Sequence, residues 1–451
     1  MMRPSSSTSD LFGPLFGDPL VDAELGDRAW LRAMLDFERA LAVVQAHAGV
    51  VPEEAARAIV SVIDSAVPDA ASLGARATAS GNPVVPLVRD LADALPAAAK
   101  AYVHHGATSQ DVLDTAASLV AFRALRPILE GLAGVADECE RLAVAHRDTL
   151  IAGRTLSQHA VPTTFGLKCA GWLVAVDEAR DRLDAVRAER LAVQFGGAAG
   201  TLAALGDAGA PLVDRLAAEL GLVAPVLPWH TDRTRFAELA GALGSAAGVL
   251  AKIAQDVVLM AQTEVGEVEE ADGGTSSAMP HKRNPIRAVL VTATTRRVPG
   301  LVATQLASMA HEHERAAGAW HAEWETSTEL LRLVGGAVRG TRELLSRLKV
   351  DAGRMRRNLD LTGGLPLAEN VSVRLAPALG RAEAQDLVAE VCRDAVAEGR
   401  TLGEALSADT RVLEHLSTEQ IDEALDPSVY VGSAAAFVDR ALAAHQRKAD
   451  R

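Results

Sequence analysis

The chain has 451 residues, 49% of them hydrophobic, which is ample for a large interior but exceeds the roughly 250–300 residues at which one core stops growing. The formal net charge of −14 argues against a nucleic-acid partner, since binding a phosphate backbone needs a basic face. No apolar run approaches the roughly 20 residues that span a bilayer, and the N-terminus lacks an apolar signal core, so we expect a cytoplasmic protein without a membrane partner.

The residue usage favours helices. Aromatic residues make up only 3% of the chain, while Ala, Leu, Val, Glu and Arg dominate, a mixture rich in helix formers and poor in strand formers. The three cysteines are far apart and lack metal-ligand spacing, which argues against a disulfide framework or a zinc site. We therefore predict an all-α fold of several packed units with no metal.

The first part of the chain alternates helical runs with breaks at residues 51–52 and 80–83, where a proline restricts the residue before it. This pattern predicts an N-terminal helical domain over residues 1–110. Its last segment, residues 104–111 (HHGATSQD), has Thr108 and Asp111 at capping-box spacing, directly before a long apolar-periodic stretch. We expect this polar segment at a helix N-terminus, where free N–H groups favour anions.

The middle of the chain carries the clearest periodicity. A strict three-four spacing of apolar residues is held over more than three heptads by Phe236, Leu239, Leu243, Ala246, Leu250, Ile253, Val257 and Met260. This stripe predicts the seam of a helical bundle, with a role in core packing and none in the chemistry. Further helices are expected over residues 112–146 and 164–193. Together they predict a central long-helix bundle over residues 111–360, with the chemistry in its connecting loops.

Two polar segments follow the seam helix, and a last helical domain follows them. Residues 273–285 (GGTSSAMPHKRNP) combine glycines, consecutive hydroxyls, a lysine and an asparagine. Glycines permit unusual dihedral angles, hydroxyls hold carboxylates or exchange protons, and Lys282 supplies positive charge. On composition alone a flexible polar linker is the alternative. Residues 311–325 are dense in ionisable and aromatic side chains, and a C-terminal helical domain is expected over residues 361–451.

The loop at residues 273–285 resembles the signature of the fumarase/aspartase superfamily, and residues 104–111 and 153–162 (GRTLSQHAVP) resemble two further blocks of that superfamily in the expected order. The resemblance implies three helical domains, with a long central bundle that forms the core of a homotetramer. It also implies active sites shared between subunits, a small dicarboxylate or tricarboxylate substrate, and no metal or organic cofactor.

By the same resemblance, Ser276 is the general base that removes a proton from the carbon next to a carboxylate. Lys282 and Asn284 then stabilise the dianion that forms, and His159 is the remaining candidate catalytic residue. The candidate substrate-binding residues are His104, Thr108, Ser109, Thr155, Gln158, Ser277, Met279, His230 and Arg315.

Each group of candidates has a structural alternative. Helix capping is an equally natural role for Thr108 and Ser109, and a structural role is the alternative for the two histidines His104 and His159. Arg315 is assigned by resemblance to a distal carboxylate, which a bidentate guanidinium suits. Residues 229–231, which include His230, are expected to line the same pocket together with Arg233.

One departure from the superfamily pattern bears on the reaction. Members that expel an amine or hydroxide usually carry a histidine directly after the threonine of the second block, and here that position is Leu156. An amine or hydroxide needs a proton to leave, whereas a carboxylate, with a pKa of about 4, departs without one. Leu156 therefore favours a carboxylate leaving group.

The wider resemblance agrees, since residues 194–202, 227–231 and 312–324 resemble the bacterial 3-carboxy-cis,cis-muconate cycloisomerase family. It implies interconversion of 3-carboxy-cis,cis-muconate and 4-carboxymuconolactone in protocatechuate degradation by the β-ketoadipate pathway, with proton transfer by Ser276. Another lyase of the same fold, acting on adenylosuccinate or another substituted succinate, is the alternative. A catalytically silent scaffold is a third reading, against which the intact loop argues.

Overall fold

The computed structural model of the chain describes residues 11–271, 274–275, 279 and 281–449. These residues form nineteen α-helices: α1 (Gly13–Phe16), α2 (Pro19–Ala23), α3 (Asp27–His47), α4 (Glu53–Ser65), α5 (Ala70–Ser80), α6 (Val84–Ala94), α7 (Ser109–Ala145), α8 (Phe165–Glu189), α9 (Gly209–Leu220), α10 (Thr234–Met260), α11 (Ile286–Ala307), α12 (Ala319–Ser346), α13 (Ala352–Asp360), α14 (Ala368–Leu379), α15 (Arg381–Glu398), α16 (Leu402–Ala408), α17 (Thr410–Leu413), α18 (Thr418–Ala424) and α19 (Ala434–Ala449). The prediction of an all-α fold is confirmed.

The described residues also form three short antiparallel ribbons, each of two strands. Their strands are β1 (Leu150–Thr155) with β2 (Gln158–Thr164), β3 (Val268–Glu270) with β6 (Leu348–Val350), and β4 (Gly274–Thr275) with β5 (Arg283–Asn284). In the first ribbon the turn residues Leu156 and Ser157 have φ of 49° and 64°. A two-residue hairpin turn requires such positive φ values, usually at asparagine or glycine, so the sequence pattern does not predict this hairpin.

The chain folds into two compact units, each built from three separate stretches. The first unit takes the described residues of Met1–Ala133, Glu178–Lys252 and Leu290–Thr341, and the second unit takes those of Gly134–Asp177, Ile253–Val289 and Arg342–Arg451. In the first unit α3 packs against α4 and α9, and in the second α14 packs against α15. The division into three domains at residues 110 and 360 stays a prediction.

Helix α10 carries the apolar seam predicted from the sequence. All eight seam residues are buried, from Phe236 at one end to Met260 at the other, which confirms the assignment to core packing. Among the described helices, α10 is also the one whose length and composition would let it cross a membrane, a test that a buried core helix passes equally well. Because the seam is covered by protein, α10 behaves as a core helix.

Helix α7 begins at Ser109, so the polar segment at residues 104–111 does end at a helix N-terminus. The backbone N–H of Thr108 donates to Asp111 Oδ2 at 3.0 Å, which is the return half of a capping box. Gly106, three residues before the first residue of the helix, has φ of +76°, and a Cβ there would lie 2.7 Å from Leu205 Cδ1. A side chain at position 106 is therefore disfavoured both by backbone strain and by packing.

Candidate active site

The candidate residues fall into two groups, one in each compact unit. The first unit holds His104, Thr108, Ser109, His230 and Arg315. The second unit holds Thr155, Gln158, His159, Met279, Lys282 and Asn284. Ser276 and Ser277 lie outside the described residues, so their assignments stay predictions.

His104 is held at the entrance to α7 by an ion pair. Its backbone adopts φ of 58°, and Nδ1 lies 2.6 Å from Oε1 of the fully buried Glu38 on α3. Burial disfavours the protonated ring, but the charges of Glu38 and of Asp111 outweigh it and raise the pKa of His104. The histidine therefore tends to carry positive charge, which suits a neighbour of an anionic ligand.

Asp111 is the centre of a buried cluster of donors in the first unit. Its carboxylate is fully buried and accepts the backbone N–H groups of Gly196 at 3.0 Å and Gly197 at 2.9 Å. Another partner is His230 Nε2 at 2.7 Å. An ionised carboxylate only accepts hydrogen bonds, so Nε2 carries the proton, and in a neutral His230 ring Nδ1 is left as the acceptor.

Arg233 is buried within an ion cluster of the first unit, and the expectation that it lines the substrate pocket stays a prediction. Its guanidinium is buried between two carboxylates, with Nη1 2.8 Å from Asp114 Oδ2 and Nη2 2.6 Å from Glu323 Oε2. Burial opposes the charge, but the two carboxylates raise the pKa of Arg233. The residue is committed to a structural ion cluster, because a single arginine here balances two buried acids.

Arg315 lies half-buried on the loop before α12 and keeps a defined orientation. Nη2 donates to the carbonyl oxygen of Ala198 at 2.9 Å, and Nη1 donates to Gln110 Oε1 at 3.2 Å. Gln110 also donates to the carbonyl oxygen of His230 at 2.8 Å. Direct hydrogen bonds within one unit thus join the segment 104–111, the loop at His230 and Arg315.

The β1–β2 hairpin, in the second unit, carries the candidate residues of the segment 153–162. Thr155 and Gln158 face each other next to the turn and are exposed, while His159 pairs with Arg154 across the two strands. Arg154 forms a two-pronged ion pair with the fully buried Glu267, at 2.6 Å and 3.0 Å. This ion pair anchors the hairpin in the unit, while Thr155 and Gln158 remain exposed at the turn.

The pKa of His159, on the same hairpin, is shifted by its surroundings. Burial, and then the positive charge of Arg154, lower its pKa. Its Nδ1 is buried and has no hydrogen-bond partner among the described residues. The ring is therefore held neutral near pH 7, which allows a role in proton transfer as well as the structural role of a hairpin residue.

The described part of the predicted catalytic loop forms a small ribbon. Gly274 pairs with Asn284 and Thr275 with Arg283, and the side-chain amide of Asn284 donates to the carbonyl oxygen of Gly274 at 3.3 Å. Lys282 is exposed, and its backbone N–H donates to the carbonyl oxygen of Met279 at 3.0 Å. Lys282 and Asn284 both lie near the C-terminal end of the loop, and their catalytic roles stay predictions.

Sequence reasoning missed the buried residues that support the candidates. Glu38, Gln110, Asp111 and Glu267 were not assigned to the site, although each contacts a candidate or its strand neighbour directly. Their partners are 66, 205, 119 and 113 residues away in the chain. Only the unusual presence of acids in apolar-periodic helices could have marked Glu38 and Asp111.

Comparison with known proteins shows which family the chain belongs to. The family described as Lyase matches residues 19–300, and the family described as Adenylosuccinate lyase C-terminus matches residues 364–441. The chain belongs to this lyase family, the fumarase/aspartase superfamily.

The relatives narrow the class. The chain is 47% identical to 3-carboxy-cis,cis-muconate cycloisomerase from Pseudomonas aeruginosa, over 97% of this chain and 96% of the relative. It is 48% identical to nitrosuccinate lyase from Streptomyces davaonensis, over 97% of this chain and 95% of the relative. Among solved structures, the 3-carboxy-cis,cis-muconate lactonizing enzyme from Pseudomonas putida matches with a TM-score of 0.92 and 45% identity, over 97% of this chain and 99% of that one.

Proposed function

We propose that the chain interconverts 3-carboxy-cis,cis-muconate and 4-carboxymuconolactone, as a cycloisomerase of aromatic-compound breakdown. The observation that carries this proposal is the agreement of a curated relative and a solved structure, both named for this reaction and both matched over nearly the whole chain. The extent of the match matters, because the candidate residues are spread from His104 to Arg315 and the match covers 97% of the chain.

The proposed chemistry is an addition of a carboxylate to an alkene. One substrate carboxylate attacks the double bond, negative charge develops on the carboxylate next to the adjacent carbon, and Ser276 delivers a proton to that carbon. Lys282 and Asn284 stabilise the developing charge, the first as a cation and the second as an amide donor. In the reverse direction Ser276 removes the same proton.

Leu156 supports a leaving group that needs no proton. The side chain is 98% exposed at the hairpin turn, so no proton donor stands at the position after Thr155. A carboxylate leaves as a stable anion, whereas an amine does not. This residue disfavours amine elimination, including cleavage of adenylosuccinate.

A second candidate function is elimination of nitrite from nitrosuccinate, favoured by the 48% identity to the lyase named for that substrate. Nitrite is also a stable anion, the conjugate base of an acid about as strong as a carboxylic acid. Leu156 is therefore compatible with both reactions, and only turnover distinguishes them.

The deciding experiment offers the purified protein 3-carboxy-cis,cis-muconate, nitrosuccinate and adenylosuccinate in parallel and follows the ultraviolet absorbance of each. We expect rapid loss of the muconate absorbance and slow or no turnover of the other two. Turnover of nitrosuccinate alone would replace the proposal by the second candidate, and turnover of adenylosuccinate alone would contradict the reasoning from Leu156.

Replacement of the proposed proton carrier tests the mechanism. Ser276→Ala should lower kcat by about a hundred-fold or more, the range found for general acid–base groups, with helicity and assembly unchanged. Ser61→Ala, at an exposed serine of α4, is the matched control and should retain full activity. A fully active Ser276→Ala variant would exclude the serine as the proton carrier.

We further propose a cytoplasmic homotetramer in which each active site is shared between subunits. Exposure of Thr155 and Gln158 at a hairpin turn supports sharing, because residues that hold a substrate carboxylate need a second surface to enclose the ligand. Large apolar side chains exposed on the long helices, such as Val174, Leu259 and Leu306, support an oligomer. Sedimentation of the purified chain tests the stoichiometry.

A further inference from the structure

One buried side-chain amide lies directly behind Arg315. Gln110, the second residue of α7, is fully buried. Its Nε2 donates to Asp114 Oδ2 at 3.0 Å and to the carbonyl oxygen of His230 at 2.8 Å. Its Oε1 accepts from Arg315 Nη1 at 3.2 Å. Every polar atom of this amide is therefore used, and its one acceptor faces the guanidinium.

The orientation of the amide is set by its neighbours. Both groups next to Nε2 are acceptors, so a flipped amide would place Oε1 against a carboxylate and a carbonyl oxygen. Asp114 cannot turn away, because it also accepts from Arg233 at 2.8 Å and from Trp320 Nε1 at 2.9 Å. The direction of the Gln110 acceptor is thus fixed by a buried ion cluster.

This fixed acceptor holds one of the two terminal nitrogens of Arg315. Arg315 is half-buried, and its other terminal nitrogen is held by the carbonyl oxygens of Ala198 at 2.9 Å and Gly197 at 3.5 Å. An arginine side chain loses considerable conformational entropy when a ligand immobilises it, and prior restraint removes that cost from binding. The remaining guanidinium donors keep one direction in the free protein.

We infer that Gln110 is a positioning residue that orients Arg315 for a substrate carboxylate and so sets the affinity for the anionic substrate. The inference rests on the proposed function through the role of Arg315, and it adds a residue that touches no substrate atom. Loss of the Gln110 acceptor should weaken substrate binding while the proton-transfer step proceeds at nearly its normal rate.

The test uses the full-length protein and three variants. Gln110→Met keeps the length of the side chain and removes the amide, that is, the acceptor for Arg315 and the donor to Asp114 and His230. Arg315→Met removes the guanidinium, and the double variant combines the two changes. Gln305→Met is the matched control, since Gln305 is also a buried glutamine of the first unit but contacts Ser327 on α12. The variants are compared by thermal melting first, then by KM and kcat.

We expect Gln110→Met to raise KM about ten-fold or more, the range for a hydrogen bond to a charged group, with kcat within about three-fold of the wild type. In the Arg315→Met background the same substitution should change KM little, because its effect passes through Arg315. Independent, multiplying losses, or a KM for Gln110→Met equal to that of Gln305→Met, would overturn the inference. If Gln110→Met does not fold, Gln110→Asn keeps the amide and withdraws it by one methylene, and the same rise in KM is expected.

A binding measurement separates this inference from the proposed reaction. Calorimetric titration with tricarballylate, an unreactive tricarboxylate, needs no turnover. Weaker binding by Gln110→Met than by the wild type supports the positioning role even if 3-carboxy-cis,cis-muconate is not a substrate. Equal binding by the two proteins, or no binding by the wild type, would overturn it whichever reaction the enzyme performs.

Discussion

Removal of Arg233 should be among the most destabilising single substitutions in the first unit. Its guanidinium donates to Asp114 at 2.8 and 3.0 Å and to Glu323 at 2.6, 3.0 and 3.1 Å, and all three side chains are buried. In Arg233→Met the two carboxylates lose their main counter-charge in a region that excludes water. Breaking a buried ion pair in this way costs about 3–5 kcal/mol, and the shared position of the arginine places the loss toward the upper end.

The assay is urea unfolding followed by circular dichroism at pH 7 and a fixed protein concentration, because subunit association would make the midpoint concentration-dependent. Arg182→Met is the matched control, since Arg182 forms an exposed ion pair with Glu178 on α8 and such a pair is worth about 0–1 kcal/mol. Equal free energies of unfolding for the two variants would refute the view that the cluster at Arg233 is structural. A triple variant that replaces Arg233, Asp114 and Glu323 by apolar residues should recover much of the loss, because no unpaired charge remains.

Three further predictions follow from the fold. Leu250→Ala removes a fully buried side chain from the α10 seam and should lower the free energy of unfolding by about 2–5 kcal/mol in urea titrations. Gly106→Ala should lower both the melting temperature and the activity, because the added Cβ meets Leu205 and the backbone has φ +76°. For His104, burial opposes protonation but Glu38 raises the pKa, so the ion pair contributes stability that is complete below pH of about 6.5 and is lost as the pH rises through the raised pKa. The extra unfolding free energy of the wild type over His104→Gln should therefore shrink as the pH is raised above about 6.5.

Each of these has a control in the same chain. Leu413→Ala, at an exposed leucine of α17, should cost much less than Leu250→Ala. Gly221→Ala tests positive φ alone, because no atom lies within 4 Å of a Cβ there, and should be milder than Gly106→Ala. An unfolding free-energy difference for His104→Gln that stays constant or grows with pH would contradict the ion pair with Glu38.

The sequence predicted those features that depend on neighbours along the chain. The α10 seam was visible because its eight apolar residues recur at helical spacing, and all of them are buried. The start of α7 was visible because Thr108 and Asp111 carry a cap signal, and the helix begins at Ser109. Such local patterns need no knowledge of the fold, since a helix places residues three and four apart on one face.

The β1–β2 hairpin shows where local patterns were insufficient. Leu156 and Ser157 occupy left-handed positions that usually signal themselves by glycine or asparagine. The hairpin is instead anchored by Arg154, which forms an ion pair with Glu267, a residue 113 positions further along the chain. A favourable tertiary contact can hold a turn that its own residues do not favour.

What the sequence by itself determined is the class of fold, the helix that forms the seam, the polar segments where the candidate residues stand, and the absence of a histidine after Thr155. Tertiary structure decided which partners give those residues their properties. Glu38 favours the charged form of His104, Asp111 selects the tautomer of His230, and Gln110 orients Arg315. The physical reason is that hydrogen bonding and electrostatic shifts depend on distances of a few ångströms, which residues 66 to 205 positions apart acquire only when the chain folds.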